Sequence, residues 1–251
     1  IRRQVGIPAV VDTDDVRRLY SDLLKRMLTR YPFDDTCDKQ ARAEGRDWPL
    51  EAETMVGLYR LENLDQCVHD VVTTGVPGDF IETGVWRGGA CIYMRALLKS
   101  YGVTDRTVWV ADSFQGLPRA EPHRVSDVQD ALCDQPRLAI PLDQVKANFA
   151  RYDMLDGQVQ FLPGWFNDTL PTAPVERLAI LRLDGDMYDS TMVALQSLYP
   201  KLSVGGYVII DDYHAVRGCK QAVDDFRAEH NITGEMQPVD WSCRYWRRDE
   251  H

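Results

Sequence analysis

Four acidic residues stand at the ends of two short apolar runs. LAILRLDGDMY carries Asp184 and Asp186, and GYVIIDDYH carries Asp211 and Asp212. If the two runs are neighbouring strands, Asp184, Asp211 and Asp212 converge on one rim. Carboxylates held that close repel one another unless a proton or a cation intervenes. All-oxygen ligation suits a hard ion such as Mg²⁺, which keeps positions for water or substrate oxygens; solvated turn acids are the plainer alternative. A proton acceptor is also at hand, as Asp184, Asp186 or the following His214.

A second constellation, Glu82-Thr83-Gly84-Val85-Trp86-Arg87-Gly88-Gly89, lies between the apolar run DFIETG and the helical stretch CIYMRALLKSYG. A strand, a turn with glycine at both ends and a helix make a nucleotide- or nucleoside-binding loop. Glycine lets the backbone approach a ligand without a Cβ clash, and the helix start offers free N–H groups. The spacing is not the G-x-G-x-x-G of dinucleotide sites, and the Lys-Ser/Thr of a P-loop is missing. Tight strand–helix packing would also explain such a turn. The next run, TVWVAD, ends in Asp112, followed by Ser113-Phe114-Gln115-Gly116. An acid there can accept hydrogen bonds from both hydroxyls of a ribose, or simply cap the following turn. Together the two motifs favour a ribose-bearing ligand.

These groups need a scaffold that gathers strand ends. Short β-rich runs at 79–84, 107–112, 159–164, 178–185 and 206–212 alternate with longer helical or loop stretches. That is the pattern of βαβ units and a parallel sheet, whose ligands bind beyond the carboxyl ends of the strands. Residues 236–241 and 243–248 predict a closing hairpin. Upstream, Val16, Leu19, Tyr20, Leu23, Leu24, Met27 and Leu28 recur at three and four, predicting an amphipathic helix over 13–31 capped by Asp12 or Thr13. A second helix is predicted over 53–72, with an arm over 1–12 and a polar loop or lid over 32–50. The expected organisation is an N-terminal arm and helical cap (1–75) on a catalytic domain (76–251), as one structural unit.

Among the 251 residues, 29 Lys+Arg face 39 Asp+Glu, a net charge of −10. That balance argues against nucleic acid or an anionic membrane as partner, since both require a basic face. No apolar run approaches the roughly 18 residues of a membrane span, and the opening residues lack a long apolar core, so a soluble cytoplasmic protein is expected. The six cysteines form no C-x-x-C pair and read as reduced thiols.

The strings ETGVWRGGACIYMRALL, TVWVADSFQGLP, FLPGWFNDTLPTAPVERLAILRLDGDMYDST and GGYVIIDDY resemble the macrocin and mycinamicin sugar O-methyltransferases, and the likeness spans most of 14–248. The resemblance implies an α/β, class I S-adenosylmethionine methyltransferase fold: a doubly wound, seven-stranded, mostly parallel sheet with an antiparallel last strand and an N-terminal helical extension. It implies that Gly84 through Gly88 and Gly89, Trp86 and Arg87 among them, wrap the methionine end of S-adenosylmethionine, with Asp112 on the ribose and Glu82, Thr83, Ser113, Gln115 and Gly116 also binding the cofactor. Phe166 and Asn167 are implied around the adenine, and Thr54 and Met55 as an upstream contact. Asp184, Asp211 and Asp212 match the family's Mg²⁺ ligands. The implied substrate is a sugar hydroxyl of a glycosylated aminocoumarin or macrolide antibiotic precursor, and the implied assembly a homo-oligomer, dimer or higher, formed through the N-terminal helices. His214 and residues 117–140 depart from the macrolide pattern where substrate would be read. Two competing readings are a D-x-D glycosyltransferase built on Asp184-Gly185-Asp186 and a nicotinamide-dependent dehydrogenase. The first leaves the glycine turn and Asp112 without a task, the second the acid triad.

Overall fold

The structure is a computed structural model that describes residues 12–119, 127 and 131–249. The expected arm, apart from Asp12, lies outside the described residues, as does most of 120–130 within the segment expected to read the substrate.

Helix α1 (Thr13–Leu28) starts where the Asp12 carboxylate accepts the Asp14 N–H at 3.0 Å. It stops three residues short of the expected end. Arg30 takes a left-handed φ of 54°, and the Arg30 and Tyr31 N–H groups turn back onto the Met27 and Arg26 carbonyls. That closure satisfies the last carbonyls and terminates the helix. The polar segment 32–50 is not all loop: Asp38 caps a short helix, α2 (Lys39–Ala43), whose Arg42 is buried and bonds Asp34, Asp47 and the Thr29 carbonyl. Helix α3 (Gly57–Thr73) begins later than the predicted 53. Residues 53–56 instead form a non-helical strap, held where Glu53 N–H meets the Leu28 carbonyl and Gly89 N–H meets the Glu53 carbonyl, at 3.0 and 2.9 Å.

The remaining elements are β1 (Asp79–Thr83), α4 (Gly89–Ser100), β2 (Val108–Asp112), α5 (Leu142–Arg151), β3 (Val159–Pro163), α6 (Phe166–Thr169), β4 (Leu178–Leu183), α7 (Tyr188–Leu198), β5 (Leu202–Ile210), α8 (Arg217–Glu229), β6 (Gln237–Pro238) and β7 (Arg244–Arg247). The strands form one seven-stranded sheet in the order β3-β2-β1-β4-β5-β7-β6. The first five are parallel; β7 runs antiparallel to β5, and β6 pairs antiparallel with β7 as the predicted edge hairpin. Strand β5 begins four residues before the expected 206. The chain winds from β1 outward to β3, returns to β4 and continues to β5, so the switch of direction falls between β1 and β4, where open sheets place ligands.

Two apolar clusters cover the faces. One joins Leu24 and Leu28 of α1, Leu61 and Leu64 of α3 and Ile92 and Leu97 of α4 to Phe80 and Ile180. The other packs Leu195, Leu198, Val223 and Phe226 of α7 and α8 on Ile81, Leu181 and Ile210. Among the described residues no helix is long and apolar enough to cross a membrane.

Candidate active site

The strand ends are levelled by their own hydrogen bonds. Gly84 N–H donates to the Ala111 carbonyl, Asp184 N–H to Thr83 and Asp211 N–H to Leu183, at 2.9, 2.8 and 2.9 Å. Gly84, Asp112, Asp184 and Asp211 therefore emerge together at one rim, on a cavity of about 590 Å³, within the usual size for a small-molecule site.

One half of the cavity is built by the glycine turn. Gly84 has φ +83°, and a Cβ there would lie 1.8 Å from the Asp184 carbonyl oxygen; only glycine lets the β1 turn rest against the β4 turn. The Asp112 carboxylate accepts N–H bonds from Val85 at 2.8 Å and Phe114 at 2.7 Å. Burial raises its pKa and these backbone donors oppose the rise. The carboxylate thus does hold the local turns, and the residue also lines the cavity. Thr54, Met55, Glu82, Trp86, Ser113, Gly116, Phe166 and Asn167 line the same space. Five residues expected at the cofactor do not line it. Thr83 is fully buried in β1. Gly88 is the N-cap that precedes α4, with φ +84°, and Gly89 packs against the strap at Glu53 and Thr54. Arg87 donates to the Leu50 and Ala52 carbonyls, and the Gln115 N–H donates to the Ser113 hydroxyl. These residues shape the turn from behind.

The other half is the acid cluster. Asp184, Asp211 and Asp212 each offer a carboxylate oxygen within 4.8 Å of the others, and Asp186 lines the cavity beside them at φ 58°. Two buried arginines, absent from the sequence reading, adjoin the cluster, and Arg60 also lines the cavity while Arg182 does not. Arg182 bonds Glu82 at 2.5 Å, Asp184 at 2.8 Å and the Asp211 Oδ1. Arg60 of α3 bonds the Asp211 Oδ2 and reaches Asp240 at 2.7 Å. Burial pushes Asp211 up to about 6, with Arg60 drawing it back down. Glu82 is pushed up to about 7 by burial, against the pull of Arg182. Asp212 is raised well above the carboxylate range, first by burial and then by Asp186 and Asp184, and its Oδ2 is buried with no hydrogen-bond partner among the described residues. An all-carboxylate donor set, partly uncompensated and with one orphaned buried oxygen, fits a hard divalent cation.

A signal for Arg182 was present, since it is the one charge inside LAILRL. Arg60 shares the buried helical phase of Gly57, Leu61 and Leu64. Asp127 was also missed: it is buried, lines the cavity, and accepts the Tyr188 N–H at the start of α7.

His214 is the alternative to Asp184 and Asp186 as the base. It is exposed, sits edge-on to Tyr213 at 4.8 Å and is absent from the cavity lining. Burial, with Arg244 and Lys220 nearby, lowers its pKa. His214→Ala is expected to keep turnover within about twofold of the parent with an unshifted pH–rate profile; a lost acidic limb would restore it as the base.

The description of the macrocin-O-methyltransferase (TylF) family matches residues 10–248. The chain is 50% identical over 251 residues to demethyldecarbamoylnovobiocin O-methyltransferase of Streptomyces niveus, covering 94% of this chain and 96% of the relative. It is 51% identical over 247 residues, 94% of either chain, to 8-demethyl-8-(2,3-dimethoxy-alpha-L-rhamnosyl)-tetracenomycin-C 4'-O-methyltransferase of Streptomyces olivaceus. The solved structure of the O-methyltransferase NovP superposes with a TM-score of 0.91 at 51% identity, over 93% of this chain and 100% of that one. These likenesses leave no room for the glycosyltransferase and dehydrogenase readings. With its seven-stranded class I methyltransferase sheet, the chain belongs to the macrocin O-methyltransferase family.

Proposed function

We propose that the protein methylates a sugar hydroxyl of a glycosylated antibiotic precursor, taking the methyl group from S-adenosylmethionine in an in-line displacement, with Mg²⁺ held by Asp184, Asp211 and Asp212. One observation carries this reading: the glycine turn and the acid cluster open into one cavity and touch at Gly84 and Asp184. The names of the relatives, a novobiocin precursor and a rhamnosyl tetracenomycin, support the substrate class.

S-adenosylmethionine supplies an electrophilic methyl on a sulfonium, and Mg²⁺ supplies Lewis acidity toward a sugar oxygen. The chain's own part is binding, alignment and proton removal. Glu82, Gly84 and Trp86 cradle the methionine end, Asp112 with Ser113 and Gly116 accepts the ribose hydroxyls, and Phe166 and Asn167 flank the adenine. Thr54 and Met55 close the donor pocket from the strap. Thr83, Arg87, Gly88, Gly89 and Gln115 support this pocket without lining it. Asp186 takes the acceptor proton, because Arg182 already engages Asp184. Holding donor and acceptor in line supplies several kcal/mol, about 7–11 at the well-oriented limit.

Calorimetry with S-adenosylhomocysteine, a UDP-sugar and NAD is expected to give binding only with the first. EDTA is expected to silence turnover, and added Mg²⁺ to restore it; EDTA-insensitive turnover removes the ion from this reading.

Val16, Leu19 and Leu23 leave an exposed apolar stripe at helical spacing along α1, which supports a homo-oligomer built through the N-terminal helices. Sedimentation of Leu19→Glu/Leu23→Glu is expected to give a smaller species than the parent; equal sizes would move the interface elsewhere.

A further inference from the structure

We propose that Arg182 is a positioning residue that joins the donor turn to the acid cluster and sets the spacing between them, an inference that rests on the function proposed above. The strand registers place its partners. Glu82 is the cross-strand neighbour of Arg182 on β1, so the two side chains share a face of the sheet. Asp184, two residues on, returns to that face. On β5, Ile209 pairs with Arg182 and Ile210 with Leu183, so Asp211 lies beside Asp184. Three carboxylates from three strand ends thus surround one guanidinium that is only 1% exposed.

The bonding is divided between the arms of the fork. Nη1 donates to Glu82 and to Asp184, and Nη2 to Asp211. Glu82 opens the glycine turn, whereas Asp184 and Asp211 belong to the acid cluster, so one rigid planar group spans donor and acceptor halves. Counter-charge alone does not require this geometry. Arg60 also neutralises Asp211, yet its other carboxylate partner is Asp240, which is not a residue of the donor turn. A lysine keeps the charge of Arg182 but is a compact point donor and loses the fork. Partners behind metal ligands commonly change metal affinity by roughly 10–100-fold when altered, and a misplacement of about 1 Å between reacting groups costs roughly 100-fold in rate.

The test compares Arg182→Lys with Arg60→Lys and the parent. Mn²⁺ binding is followed by electron paramagnetic resonance, S-adenosylhomocysteine binding by calorimetry, and turnover with demethyldecarbamoylnovobiocin as the acceptor probe. Arg182→Lys is expected to weaken Mn²⁺ binding roughly tenfold and lower kcat roughly 100-fold. S-adenosylhomocysteine binding and acceptor KM should stay within about threefold, and the kcat loss should exceed that of Arg60→Lys by about tenfold. Unchanged Mn²⁺ affinity and kcat in Arg182→Lys, or equal losses in both variants, would overturn the proposal. A parent that binds no Mn²⁺ defeats the cation reading instead, and the kcat-against-KM split then decides the role of Arg182. If Arg182→Lys does not fold, nitrogen-15 NMR of the parent replaces it. The Arg182 Nη signals should shift on adding S-adenosylhomocysteine alone and on adding Mg²⁺ alone, and silence toward either overturns the bridge.

Discussion

Asp212→Asn is expected to reduce turnover by roughly 10³-fold and at the same time to make the protein more stable. The two effects have one cause. Asp212 is pushed well above the carboxylate range by burial and by Asp186, Asp184 and Asp211, and its Oδ2 has no hydrogen-bond partner among the described residues. A carboxyl whose folded pKa exceeds its unfolded value binds a proton on folding, so the protein loses stability as pH rises past the ordinary carboxylate range. Asparagine has the same shape and no charge, so it removes that cost at pH 7, while the advantage vanishes near pH 4. A gain of about 1 kcal/mol would raise the midpoint of thermal unfolding by roughly 2–4 °C. Asp211→Asn should behave differently. Both oxygens of Asp211 are engaged, one by Arg182 and one by Arg60. Weakening that pair leaves buried guanidinium charge uncompensated, which costs about 3–5 kcal/mol when a buried ion pair is broken outright. Thermal melts of the metal-free proteins at pH 7 and pH 4, beside turnover assays with Mg²⁺, separate the two variants. An Asp212→Asn protein that is active, or less stable at pH 7, would contradict the account.

Gly84→Ala is the second large effect expected, on the donor side. At φ +83° an added Cβ meets the Asp184 carbonyl oxygen at 1.8 Å. The left-handed backbone costs a non-glycine residue roughly 1–2 kcal/mol, and the obstructing atom is backbone, which cannot swing aside. Relief requires the β1 and β4 turns to separate, and with them the donor pocket and the acid cluster. S-adenosylhomocysteine affinity is expected to fall roughly 100-fold, or about 2.7 kcal/mol, and methyl transfer to fall further because the spacing between the halves is lost as well. Calorimetry of a folded Gly84→Ala protein checks this. Parental affinity would mean that the turn does not hold the donor.

The sheet and its rim could be read in the chain because both follow local rules. Each of the five parallel runs is apolar and bounded by a turn residue, and the acids stand at strand ends, where βαβ geometry collects them. What stayed hidden depends on partners distant in sequence. Asp211 meets Arg60 across 151 positions, so the acid triad looked less compensated in the sequence than it is in the fold. Thr83 and Arg87 stand inside the glycine motif, yet strand alternation buries one and carbonyl partners at Leu50 and Ala52 draw the other outward. His214 follows the acid pair closely, but the chain turns after Asp212 and leaves it facing solvent. The late start of α3 has a similar origin. Residues 53–56 have helix-compatible composition, but pairing of Glu53 and Thr54 with Leu28 of α1 and of Glu53 with Gly89 keeps the segment out of the helix, and tertiary context overrides propensity.

Crystals grown with S-adenosylhomocysteine and Mn²⁺, and measured at the manganese absorption edge, bear most directly on whether methyl donor and cation occupy one cavity. The account predicts an anomalous peak bounded by Asp184, Asp211 and Asp212, with the homocysteine sulfur beside Gly84 and facing it. A bound homocysteine with no peak at those carboxylates, or with its sulfur turned away from them, would contradict it.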